Sequence, residues 1–282
     1  MGLSVEMLIY RTGLPAVLAV WGLVREQGVV GAVLIAFSIA DVGLILFLAF
    51  RRLSPVERGR LLSAMFLISL GPLFWALFEQ AGPSHNLYTD RAVDRTVAGV
   101  EVPASVFQSV NSTFIILLAP VFAGLWTLLA DRKSEPSAPF KFRIGLILVG
   151  TGFLVLVLGA TLSGGAATPA LFVILLYLFH TAAELCFSPV GLAAMTRLSA
   201  ASMTGLMMGT WFLSTAAGNF LAGVIAQSTE SGSAGPGGVI STYAKLGWGA
   251  VAVGLLVFVV ARPVTRLMRL DLFESDDQPV RH

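Results

Sequence analysis

His180, Glu184 and Ser188 follow one another at four-residue intervals inside an apolar run. On a helix that spacing puts all three side chains on one face. An ionisable group in hydrocarbon costs from about 2.5 to more than 10 kcal/mol at a bilayer centre, so such groups face a cavity or a partner. A carboxylate held there can exchange a proton for a salt bridge to a cation. The plainer alternative for Glu184 is a structural hydrogen-bonded pair with His180. Those two side chains are too few to hold a metal, and no other histidine is near in sequence. Glu79 ends a second apolar run, Phe74 to Gln80. It reads either as an interfacial glutamate in water or as a carboxylate facing a water-filled path.

Two further runs carry amides and aromatics. Gln108, Asn111, Ser112 and Thr113 precede a long apolar stretch. Buried amides join helices to one another, and they also bind solutes, so both readings of Asn111 stay open. Trp211, Ser214, Thr215 and Asn219 share another segment, in which Trp211 and Thr215 lie on one helical face. Gly205 and Gly209, and Gly218 and Ala222, form small-xxx-small pairs, a pattern that favours close helix packing. Pro72, Pro120 and Pro189 fall inside segments, where a kink is possible.

The elements that position these residues are membrane helices. Hydrophobic residues make up 56% of the chain and charged ones only 12%, against about 25% charged in ordinary globular domains. The mean hydropathy is +0.84. A membrane helix needs about 20 mostly apolar residues. Eight stretches approach that length, near 8–24, 28–50, 60–80, 105–130, 142–163, 168–198, 203–227 and 246–264. The first is interrupted by Arg11 and Pro15. It is joined to the second around Glu26 as a tight hairpin.

Alternate loops differ in charge. Thirteen Lys and Arg residues, among them Arg51, Arg58, Lys133, Lys141, Arg197, Arg262 and Arg266, fall on one side, against four on the other. Cytoplasmic loops are the basic ones, so both termini are expected in the cytoplasm. The segment 81–103, with Asp90, Arg91, Asp94 and Arg95, is then an external charged loop. The Gly- and Ser-rich stretch 227–243 reads as a flexible external connection, and the acidic tail after Leu270 as disordered. Val56 to Arg60 reads as a basic cytoplasmic linker. No basic start and apolar core of a cleaved signal appear at the first residues. The single cysteine, Cys186, forms no internal disulfide. No P-loop, dinucleotide glycine pattern, zinc spacing or nucleophile elbow is present. No cofactor, metal or nucleic-acid partner is expected.

Four motifs, in order, resemble one family. Phe74 to Gly82 (Phe-Trp-Ala-Leu-Phe-Glu-Gln-Ala-Gly) is similar to the seventh helix of the proton-dependent oligopeptide transporters of the major facilitator superfamily. Pro103 to Asn111 resembles the start of their eighth, His180 to Gly191 their tenth, and Gly205 to Ser214 their eleventh. The hairpin over 8–50 resembles the helix pair that bacterial members insert between their two halves. The resemblance implies that Glu79 and Glu184 take part in proton coupling. It also implies that Glu184 meets a peptide amino terminus, that Asn111 binds peptide, and that Ser188 and Trp211 line a side-chain pocket. Gln108 and His180 are secondary candidates. Two departures stand out: Ser112 follows Asn111 where the family has proline, and His85 replaces an aliphatic residue.

The fold expected is an all-α membrane protein. A hairpin occupies 1–52, a six-helix carboxy-terminal transporter bundle 53–267, and a cytoplasmic tail 268–282. The function expected is half of an inner-membrane symporter for di- and tripeptides and protons, working by alternating access. An amino-terminal half or a second copy would complete it, because nothing in the chain corresponds to the family's Glu-x-x-Glu-Arg motif. A symporter half for another small solute and a non-transporting membrane scaffold are the competitors. A membrane enzyme is weaker, for want of a nucleophile and base.

Overall fold

The computed structural model describes residues 5–97, 99–230 and 235–268. Of the expected tail, only Met268 lies within them. The chain divides into two compact units, residues 1–52 and 53–282.

In the first unit, α1 (Val5–Arg25) and α2 (Gln27–Arg52) are separated only by Glu26 and touch each other. Pro15 lies inside α1 without ending it. At the end of α1 the Arg25 guanidinium lies 3.8 Å from the centre of the Trp21 ring, a cation–π contact that suits an interfacial helix end.

The second unit begins with a capping box. The Ser54 hydroxyl accepts the Glu57 N–H, while the Glu57 carboxylate accepts the Ser54 N–H at 2.9 Å. With Pro55 in the first turn, these residues start α3 (Pro55–Ser69). Val56 to Arg60, expected as a linker, is therefore the first turn of a helix. The expected helix over 60–80 is two helices, because Pro72 has no N–H to continue the ladder. The first ends at Ser69 and α4 (Gly71–Phe78) starts anew with Pro72 in its first turn. A 3-10 turn over Glu79–Ala81 follows.

The segment expected as a solvated external loop also has structure. It contains α5 (Ser84–Ala92), with Ser84, His85, Tyr88 and Thr89 buried. The short strand β1 (Val93–Asp94) then pairs in parallel with β4 (Thr168–Pro169), and β2 (Thr96–Val97) pairs with β3 (Val100–Glu101). The Tyr88 and Thr168 hydroxyls hydrogen bond at 2.8 Å beside that parallel pair. Arg95 is paired with Glu101 at 2.8 Å and Asp90 at 3.5 Å. The Thr96 N–H donates to the Asp94 carboxylate at 3.0 Å and holds that carboxyl below its usual range.

The remaining helices are α6 (Ser109–Asp131), α7 (Ala138–Leu162), α8 (Ala170–Leu198), α9 (Thr204–Glu230) and α10 (Gly235–Met268). Pro120 and Pro189 stay within α6 and α8. Most of the stretch expected as a flexible loop over 227–243 belongs to the ends of α9 and α10; residues 231–234 lie outside the described ones. Among the described residues, six helical stretches are long and apolar enough to cross a membrane, including α2, α7 and α8. The expectation of eight included α1 and α9, which are helical; α9 falls outside that set. Thr210, Ser214, Thr215 and Asn219 dilute the hydropathy of α9.

Backbone contact sets the crossings. A side chain at Gly150 would meet the Gly247 carbonyl at 2.6 Å, so α7 and α10 touch main chain to main chain. A side chain at Gly218 would meet the Pro72 carbonyl at 3.1 Å, which seats α9 against α4 as its small-residue pattern suggests. The Gly205 and Gly209 pair does otherwise: a side chain at either would meet nothing within 4 Å. The core between these helices is aromatic. Phe187 stacks on Phe74 at 4.0 Å and lies 4.1 Å from Phe142, ring centre to ring centre.

Candidate functional site

The α8 helix carries the centre of the site. Glu184 is half-buried, and its Oε2 is shielded from solvent without a hydrogen-bonding partner. One turn earlier, the Thr181 hydroxyl donates to the Tyr177 carbonyl at 2.8 Å, an i to i−4 bond that fixes the oxygen's direction. That oxygen accepts the Asn111 Nδ2 at 2.9 Å. Asn111 is thereby drawn to α8, where its amide also interacts with the Glu184 carboxylate. Glu79 reaches the same carboxylate electrostatically. Three polar residues from α6, α8 and the turn after α4 thus converge, two of them acidic. Two carboxylates that act on each other in this way both attract a cation.

Glu79 is positioned by its neighbour. Gln80 is fully buried, and its amide donates to the Ala76 carbonyl at 2.9 Å and the Ala222 carbonyl at 3.1 Å. This clamps the turn to α9 and leaves Glu79 half-buried beside it.

The other expected residues are placed differently. Trp211 is 2% exposed and packs with Phe187, Phe142 and the backbone of Gly191. Ser188 is half-buried on α8, and Gln108 is exposed in the 3-10 turn before α6. His180 is buried; its Nε2 lies 3.1 Å from the Val149 carbonyl, and the tight contact with Gly152 leaves room there for nothing but hydrogen. Its ring faces His85, Phe153 and Phe78. Sequence reasoning missed Thr181 as the link between Asn111 and α8. Its position three residues before Glu184 was the available signal. Among the described residues, no three metal-ligating side chains cluster.

A cavity of about 800 Å³ runs along the groove between α6 and α8. It begins at Leu185 and passes Pro189 and Phe122. It ends among Trp126, Lys141 and Arg197. Lys141 is buried there, ion-paired with Glu135 at 2.6 Å and lying 4.2 Å from the centre of the Trp126 ring. The α6 wall has no buried residue at all.

A family model described as the POT family matches residues 33–244. A peptide transporter of Yersinia enterocolitica, YePEPT, is 38% identical over 83% of this chain and 46% of its own length. Dipeptide and tripeptide permease A of Proteus mirabilis is 31% identical over 67% of this chain and 39% of its own length. A crystal structure of a peptide transporter POT in complex with sulfate superposes with a TM-score of 0.76 at 28% identity, covering 94% of this chain and 54% of that one. The chain spans about half the length of the curated relatives it matches.

Proposed function

The chain belongs to the POT family, and on that premise we propose that it forms the carboxy-terminal half of a proton-coupled symporter for di- and tripeptides. It is an integral membrane protein with the helical bundle of that family. The observation that carries the proposal is the grouping of Glu184 with Asn111, which the Thr181 hydroxyl holds against α8, and with the Glu79 carboxylate. Glu184 takes the amino terminus of the peptide, for which a half-buried carboxylate is the matching charge. Asn111 binds the peptide backbone. Ser188 lines the side-chain pocket, and Trp211 backs it. Glu79 and Glu184 exchange protons with the substrate's charge. Gln108 and His180 are supporting positions.

The location is the inner membrane, with both termini cytoplasmic, as the charge of the loops suggests. The eight crossings include α1 and α9. In this superfamily the substrate lies between two halves that rock about it. The exposed α6 face and the uncovered Gly205–Gly209 stripe suit a partner bundle, either an amino-terminal half, covalently joined or separate, or a second copy. The reading excludes an enzymatic role.

The test is uptake of labelled dipeptide into liposomes under an inward proton gradient. Liposomes holding this chain alone are compared with liposomes that also hold an amino-terminal half. Uptake that needs the second half and is lost in Glu184→Gln supports the proposal. Uptake by the chain alone points to a homodimer. Counterflow with sugars or single amino acids, but not with peptides, favours a symporter for another solute. No transport in any combination favours a scaffold.

A further inference from the structure

We infer that the groove between the start of α7 and the end of α10 is a binding site for the phosphate of an anionic phospholipid. A cavity of about 460 Å³ opens there, lined by Arg262, Arg266, Ser137, Thr265, Phe140 and Phe258. Both arginines are exposed, and the ion pairs among the described residues involve neither. Two guanidiniums beside one concave surface repel each other until an anion lies between them. Arginine meets phosphate oxygens through two parallel N–H donors, so a phosphate is the anion that the geometry fits.

The walls suit such a group. The Ser137 and Thr265 hydroxyls hydrogen bond at 3.1 Å and give the groove a polar side. A third cation stands behind the aromatic side. The Arg143 guanidinium lies 4.1 Å from the centre of the Phe140 ring and 4.6 Å from that of Phe258, and its Nε is buried without a partner.

The arrangement along α10 selects a lipid over a free anion. Leu255 and Val259, 58% and 70% exposed, precede Arg262 and Arg266 at helical spacing on one face. Acyl chains lie along that apolar stripe, and the head group then falls at the arginines. Basic pockets between helices at a membrane boundary hold anionic head groups in this way. That the lipid lies in the cytoplasmic leaflet rests on the orientation proposed above. Lipid binding is measured without transport, so it stands or falls separately.

The experiment is native mass spectrometry of the full chain in detergent. The chain is titrated with phosphatidylglycerol or with phosphatidylcholine of the same acyl chains. Phosphatidylglycerol is expected to bind at the lower concentration. Each arginine contributes about fivefold to affinity, so Arg262→Gln with Arg266→Gln should weaken phosphatidylglycerol binding by roughly 25-fold and leave phosphatidylcholine unchanged. Thr265→Asp, which puts a carboxylate in the groove, should have the same effect. Arg91→Gln, far along the sequence in α5, should have none. Equal binding of the two lipids, or undiminished phosphatidylglycerol binding in the double variant, overturns the inference. Displacement of phosphatidylglycerol by millimolar inorganic phosphate also overturns it, in favour of a free-anion site.

Discussion

His85 and His180 face each other inside the bundle, their ring centres 5.5 Å apart. His180 is held by the Val149 carbonyl, whereas neither ring nitrogen of His85 has a protein partner. Phe153 and Tyr243 close around His85, with ring centres 5.1 and 5.3 Å from its own. A desolvated polar group without a partner costs about 1–3 kcal/mol. His85→Phe keeps the ring and removes that cost, so it should raise the thermal midpoint in detergent by several degrees. His180→Phe should lower it, because the carbonyl loses its donor. A lower midpoint for His85→Phe would mean that the imidazole is engaged.

The α6 helix has no buried residue, and the Asn111–Thr181 hydrogen bond ties its first turn to α8. Thr181→Val keeps the side-chain shape and removes the acceptor. The expected cost is about 1 kcal/mol. Hydrogen exchange should quicken across residues 109–131 with little change in α7 or α10. Uniform acceleration over all helices would show that the bond supports the whole bundle instead.

Two glycine pairs with the same spacing should respond oppositely. Gly218→Val forces a side chain into the Pro72 carbonyl and the Trp75 side chain, while Gly209→Val meets nothing within 4 Å. Overpacking costs about 1–3 kcal/mol or more. Gly218→Val should therefore lower the yield of folded protein and the thermal midpoint. Gly209→Val should leave both unchanged in the isolated chain. Equal losses in the two variants would contradict the packing described.

The contrast between these pairs marks what was legible in the sequence. Hydropathy and charge made the helical membrane fold readable, and the spacing of His180, Glu184 and Ser188 made one face of α8 readable. Spacing alone could not say which small-residue pair would find a neighbour, because that depends on tertiary contacts. The break at Leu70 was readable in principle from Pro72, yet the apolar run continues through it and hides the new helix start. Segment 81–103 looked like a charged loop because Asp90, Arg91, Asp94 and Arg95 dominate its composition. The buried side of α5 is made by Ser84, His85, Tyr88 and Thr89, which carry little hydropathy. Trp211 looked like a pocket residue from its motif. Its burial arises from Phe142, Phe187 and Gly191, distant in sequence and joined only by the fold.

Glu79 provides the sharpest functional prediction. Its neighbour Gln80 anchors the turn through the Ala76 and Ala222 carbonyls, so Glu79→Gln alters charge without releasing the backbone. In a complete, reconstituted transporter this variant should still exchange labelled for unlabelled dipeptide across the membrane, since Glu184 and Asn111 remain to bind it. Accumulation driven by a proton gradient should fall to the level of protein-free liposomes, because one of the two interacting carboxylates can no longer take up and release a proton. Gln80→Leu is the companion variant. It keeps the Glu79 charge but removes both anchoring hydrogen bonds, so exchange and accumulation should decline together. If Glu79→Gln accumulates peptide as well as the unaltered protein does, Glu79 is an interfacial glutamate and proton coupling must rest on Glu184.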